Sequence, residues 1–165
     1  MKNVFKILLL SLATIFILFQ LYPRPKKNIE TAPCLNHIAL VTTYKPAVKE
    51  ILQISCNDCH SNNTRYPWYS AIQPFAWWLG DHVKEGKKEL NFSEFGTYSL
   101  RRKYKKFKEI IDEVEEDEMP LKSYIRVHRN AILSAEEKSA LITWATGEIN
   151  KMEAQYPSDS LKSRK

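Results

Sequence analysis

Cys56-Asn57-Asp58-Cys59-His60 is a C-x-x-C-H run, and it is where this sequence can do chemistry. Two thiols on one helical turn can each add to a vinyl group of a haem, and the next residue turns its imidazole under the iron. The spacing therefore serves both thioethers and the proximal axial ligand, and the expected cofactor is haem c, covalently attached through Cys56 and Cys59. Two other readings compete. A dithiol redox pair would want a βαβ context, which the flanking pattern lacks. A structural zinc site would want two further ligands at matching spacing, and the residues just after His60 offer none.

Iron bound by His60 has one axial position left, for which Met119, His82, His128 and Met152 are the candidates. Met119 precedes Pro120 in an extended segment after a helix, where its unbranched thioether is free to swing; its bland role is to fill a core gap. His82 lies on an apolar helical stripe, the usual place of a hydrogen-bonded core histidine. His128 sits between Arg126 and Arg129 in a polar stretch and reads as exposed. The expected metal ligands are His60 and Met119. Because thioether ligation raises the reduction potential, that choice decides which partners can exchange electrons with the iron. Nothing resembling a nucleophilic triad, phosphate loop or acid/base pair stands beside the motif, so no catalytic residue and no small-molecule substrate is expected.

The elements that must position these residues read as helices. Pro46 suits a first helical turn, and Val48, Ile51 and Leu52 form one apolar face leading to Cys56. Pro74 opens a second helix, with Phe75, Trp78, Leu79, His82 and Val83 as its buried stripe. A third starts near Ser93 or Ser99, carries Leu100, Tyr104, Phe107, Ile111 and Val114, and is expected to stop at Met119-Pro120. Ser134 and Glu137 form a capping box ahead of Leu141, Trp144 and Ala145. No segment shows sustained strand alternation, so the fold class is all-α.

CNDCHSNNT from Cys56 to Thr64, Tyr66-Pro67-Trp68-Tyr69-Ser70, Asn91-Phe92-Ser93-Glu94, Glu118-Met119-Pro120, and Leu133-Ser134 with Glu137 together resemble the bacterial haem-binding domain family. Its members are small, membrane-anchored, class I cytochrome c-like proteins, and the likeness covers roughly residues 41–150. The resemblance implies a helix before the haem motif, a loop bringing methionine from the other side, and a C-terminal helix packed on the first.

Ahead of the domain, Ile7 to Pro23 carries no charge, and no small-residue cleavage site follows. Residues 1–23 read as a signal anchor or transmembrane helix, with export after signal cleavage as the alternative. Residues 24–40 read as a linker, 41–150 as the haem-binding domain and 151–165 as a polar tail. Basic residues flank the apolar run on both sides, so the positive-inside rule leaves its orientation open. Covalent haem attachment takes place outside the cytoplasmic membrane, which puts the domain on the periplasmic face of a single-pass anchor. Cys34 lacks the residues that precede a lipidated cysteine and reads as an unpaired linker thiol.

Of the 165 residues, 44% are hydrophobic and 12% aromatic, too many for a disordered polyelectrolyte, and three cysteines are too few for a disulfide scaffold. The net charge of +6 lies wholly in the flanks, since residues 41–150 balance sixteen bases with sixteen acids. A neutral domain beside a basic, anchored end suits a membrane surface and excludes nucleic acid as the expected partner. Arg65 reads as a solvated side chain, with a haem propionate as its functional alternative. The aromatics between Tyr66 and Trp78 read either as a dry wall around the haem or as the ordinary core of a small domain. Six basic residues in 101–108 and seven acidic ones in 109–118 read as solvated helix surface, whose acidic end beside Met119 offers a face to a basic redox partner. The function expected is one-electron transfer between partner proteins. A haem peroxidase or gas sensor with a labile sixth ligand, and a haem-stabilised structural module, are the alternatives.

Overall fold

The computed structural model describes residues 1–31 and 34–161. Ala32 and Pro33 of the expected linker, and residues 162–165 of the expected tail, lie outside the described residues. All regular structure among the described residues is helical: α1 Lys2–Gln20, α2 Ile38–Val41, α3 Pro46–Ser55, α4 Asn57–His60, α5 Phe75–Glu89, α6 Leu100–Glu115, α7 Lys122–Val127, α8 Ala135–Gln155 and α9 Ser158–Leu161. The all-α expectation holds.

The helices begin and end where local chemistry dictates. α3 starts with Pro46 at its first turn and buries Val48, Ile51 and Leu52. α6 starts at Leu100, because the Ser99 hydroxyl accepts from the Arg102 N–H at 3.3 Å. The capping box of α8 is complete, with Glu137 N–H donating to Ser134 Oγ at 3.2 Å and Ser134 N–H to Glu137 Oε2 at 2.8 Å.

α6 does not run to the proline. It ends at Glu115, and Asp117 takes a left-handed φ of 59°. The Glu118 N–H then donates back to the Glu113 carbonyl at 3.0 Å, the six-to-one bond of a Schellman ending. The Met119 N–H shares the same Glu113 carbonyl at 3.0 Å, so the ending extends to the methionine and stops short of the proline.

The core joins Ile38, α3, Leu90, Phe92, Phe95, the inner face of α6 and the Leu141–Ala145 stretch of α8. Phe95, Phe107 and Trp144 meet edge to face at 5.2 and 5.6 Å between ring centres. α8 packs along α6 and across α3, the placement the resemblance implied for the C-terminal helix.

The packed unit is longer than residues 41–150. Ile38 is wholly buried at one end and Leu161 is 2% exposed at the other. An apolar side chain that reaches the core belongs to the folded unit whatever the polarity of its neighbours.

α5 also differs from its expected stripe. Its buried residues are Ala76, Leu79 and Val83, whereas Phe75 and Trp78 stay exposed and His82 is half-buried. The helix is rotated so that its small face lies on α4. α1 is 19 residues long, wholly unburied, and long and apolar enough to cross a membrane or to act as a signal.

Candidate haem site

α3 gives way at Cys56 to a single helical turn, α4, which carries the rest of the motif. The His60 N–H donates to the Cys56 carbonyl at 3.0 Å, and the Phe92 N–H donates to the His60 carbonyl at 2.7 Å. His60 Nδ1 lies 3.0 Å from the Leu90 carbonyl oxygen. A carbonyl only accepts, so Nδ1 carries the proton and Nε2 keeps its lone pair. Burial lowers the pKa of His60, working against the Leu90 contact that raises it. The ring is therefore neutral and oriented, as a metal-binding imidazole must be.

α5 crosses this turn at Gly86. A Cβ there would stand 2.7 Å from the Cys59 carbonyl oxygen and 3.0 Å from Cys59 Cβ, so only glycine allows the approach. Cys56 and Cys59 are unpaired. Burial and their mutual proximity push the Cys56 thiol up to about 12, and burial with the Asp58 charge pushes Cys59 up to about 11. Both are thus held as thiols rather than thiolates.

Two open clefts of about 370 Å³ each adjoin the turn. Both are lined by Ser55, Cys56, His60, Glu89, Met119 and Pro120, so the motif and Met119 bound one continuous space. The first adds Cys59, Gly86 and Tyr124, and the second adds Leu52, Leu90, Phe92, Ile110 and Val114. An apolar slot with a neutral imidazole, two thiols and a thioether on its walls fits a haem, whose faces are apolar and whose iron takes nitrogen and sulfur donors. Among the described residues no group of three or more His, Cys, Asp or Glu could hold a bare metal ion.

Of the other sixth-ligand candidates, His82 lines the first cleft alone. Its Nδ1 donates to the Trp78 carbonyl at 2.8 Å and its ring lies 4.4 Å from that of Trp78. His128 was expected at the surface but is half-buried, stacked on Tyr124 at 4.2 Å between ring centres. It lines neither cleft. The stacked Tyr124 ring, with Tyr69 tilted against His128 at 6.2 Å, covers it despite the polar sequence around it. Met152 packs against the hydrophobic core.

Arg65 stays exposed as expected, its side chain 62% accessible, but its guanidinium is engaged and not free for a propionate. Its Nε and its backbone N–H both donate to Asp58 Oδ1 at 3.1 Å, and Nη2 donates to the Gln53 carbonyl at 3.0 Å. The other oxygen of Asp58 accepts from the Tyr124 hydroxyl at 2.8 Å. Asp58 is 6% exposed, and a buried carboxylate must find partners for both oxygens. Burial and this carboxylate raise the pKa of Tyr124, which stays a hydroxyl donor. The motif turn is thereby tied to α7, just beyond Met119.

Neither the Asp58 network nor the Leu90 carbonyl was legible in the sequence. Gly86 had a signal, since a glycine inside a helix marks a close approach. The aromatics from Tyr66 to Trp78 line neither cleft, so the expected dry wall is not theirs. Leu, Ile, Val and Phe side chains from α3, α6 and the segment after α5 take that part. Lys106 also departs from a solvated run: it is 7% exposed and pairs with Glu109 at 2.6 Å and Glu89 at 3.4 Å.

A family model described as a haem-binding domain matches residues 14–147. The chain belongs to that family. No curated protein and no solved structure matches it. Haem-binding by this domain accords with the cleft, and the matched span includes Cys56, Cys59, His60 and Met119.

Proposed function

We propose that this haem-binding domain is a one-electron carrier that holds haem covalently through Cys56 and Cys59, with His60 and Met119 as axial ligands, at the outer face of the cytoplasmic membrane. One observation supports it above the rest: Leu90 fixes the His60 tautomer with Nε2 free, on a cleft wall that includes Cys56 and Met119. When bound, haem supplies an iron that cycles between ferrous and ferric states. The protein's residues do the rest. Leu90 orients the imidazole, Gly86 lets α5 close on the thiols, and the apolar side chains of the cleft give the haem faces a surface to pack on.

Met119 is favoured over His82 because it shares both clefts with His60. Glu89 and Glu109 on the second cleft are paired with Lys106, whereas Glu113 there and exposed Glu115, Glu116 and Glu118 before Met119 offer acidic charge to a basic redox partner. The outward orientation rests on covalent attachment, which requires that compartment.

A haem stain that survives denaturation is the expected mark of the wild-type chain. It is lost in Cys56→Ser/Cys59→Ser, and a wild type that never stains would overturn covalent attachment. Met119→Ala removes the weak sulfur-to-iron charge-transfer band of the oxidised protein and lowers its reduction potential. A band that is absent from wild type, together with ready carbon monoxide binding by the reduced protein, would favour a labile sixth site for peroxide or a gas.

A further inference from the structure

The aromatic run that the haem site does not use lies where α1 leaves the domain. Gln20 Nε2 donates to the Gln73 carbonyl at 3.0 Å, and the Gln73 N–H donates to Gln20 Oε1 at the same distance. Trp77 meets Phe19 at 6.3 Å and Tyr22 at 4.4 Å between ring centres. Pro25 sits over Gly80, where a Cβ would come within 2.8 Å of its ring. The Asn28 N–H donates to the Tyr66 hydroxyl at 2.6 Å and its side chain to the Ser61 carbonyl at 2.8 Å. The end of α1 and the segment after it are thus fastened along α5 and the turn after the motif.

Beside this joint three large aromatics face outward: Trp68 is 79% exposed, Phe75 51% and Trp78 38%. Tyr69 connects Trp68 to Phe75, with ring centres 6.0 and 6.4 Å away. We propose that this face, Trp68, Phe75 and Trp78, is seated in the headgroup layer of the bilayer that α1 crosses. The proposal rests on reading α1 as a membrane span. Its 19 residues reach about 28 Å at 1.5 Å per residue, close to the hydrocarbon thickness of ~30 Å. Gln20 and Tyr22 then lie at the boundary. Phe75 is two residues from Gln73, and Trp78 is about 4.5 Å further along α5 at most. A headgroup layer is about 5–8 Å deep on each side, which Phe75 reaches first and along which Trp78 and, through Tyr69, Trp68 extend.

Chemistry and charge agree with a lipid occupant. Tryptophan and tyrosine favour the interface because an apolar body and a polar tip are both satisfied there. Exposed Arg24, Lys26 and Lys27 follow the span at the same end and complement anionic headgroups. The ring of Trp78 lies 4.4 Å from that of His82, so the seat also holds one rim of the haem cleft near the membrane surface.

The test places p-benzoylphenylalanine singly at Trp68, Phe75, Trp78, Phe16 and Asn150 in the full-length holoprotein, in nanodiscs of mixed zwitterionic and anionic phospholipid. Irradiation followed by intact mass spectrometry counts lipid adducts. Positions 68, 75 and 78 are expected to give several times the yield of exposed Asn150 on α8. Adducts at Phe16 with only background at 68, 75 and 78 would leave the span intact and overturn the seat. Background at Phe16 as well would overturn the span on which the seat rests. Because Trp68 and Phe75 are exposed, both substitutions leave the core untouched, and circular dichroism of each variant checks its helix content.

Discussion

The His60 ring is tied to Leu90, its carbonyl is tied to Phe92, and α5 presses on the same turn at Gly86. Met119, which lines the same clefts as His60, has its N–H on the Glu113 carbonyl at 3.0 Å and follows four exposed acidic residues. One wall is over-determined and the other follows a helix ending stabilised by Asp117 and its ion pair with Lys138. The contrast matches the two ligand chemistries we propose. An imidazole binds through one lone pair whose direction the ring fixes, so the ring must be aimed. A thioether on three rotatable bonds tolerates a less exact backbone.

The largest test of this contrast is Gly86→Ala, which forces a Cβ into the space held by the Cys59 carbonyl. It is expected to cost about 1–3 kcal/mol in urea unfolding, the range for overpacking, and to lower the yield of haem-loaded protein. A variant as stable as wild type would show that the motif wall gives way easily, erasing the difference between the two walls.

Tyr124→Phe cuts the bond that joins the walls. Asp58 keeps Arg65 but loses a donor, so a loss of about 0.5–1.5 kcal/mol is expected from the same unfolding curves. No loss would mean that water replaces the hydroxyl at Asp58 and that the two walls are independent.

The smallest effect concerns Glu109, on the helix that leads to Met119. Desolvation works against its charge, but Lys106 and Lys105 outweigh it and hold the pKa below 4.5. A folded value below the unfolded one contributes stability at pH above about 4.5, lost as pH falls through the folded value. The difference in urea midpoint between wild type and Glu109→Gln is therefore expected at pH 7 and should be smaller at pH 3. An equal difference at both pH values would assign it to packing instead of charge.

Helix content, the face of α3 and the cap of α8 were readable because each depends on residues within a turn or two. The stop of α6 was not, since Asp117 reaches its left-handed conformation inside a Schellman ending that proline merely follows. The rotation of α5 was misjudged for a related reason. Seven residues of apolar periodicity fit two neighbouring faces, and the close approach at Gly86 selects the one bearing Ala76, Leu79 and Val83.

Sequence alone determined which atoms could meet a haem, because C-x-x-C-H and a lone methionine before proline carry their chemistry in their side chains. Tertiary structure decided which way those atoms face. Leu90, thirty residues from His60, assigns the proton to Nδ1. Tyr124, sixty-six residues from Asp58, supplies a donor to that carboxylate beside Arg65. Such contacts join residues far apart along the chain, and the need to satisfy buried polar groups, which no local pattern records, brings them together.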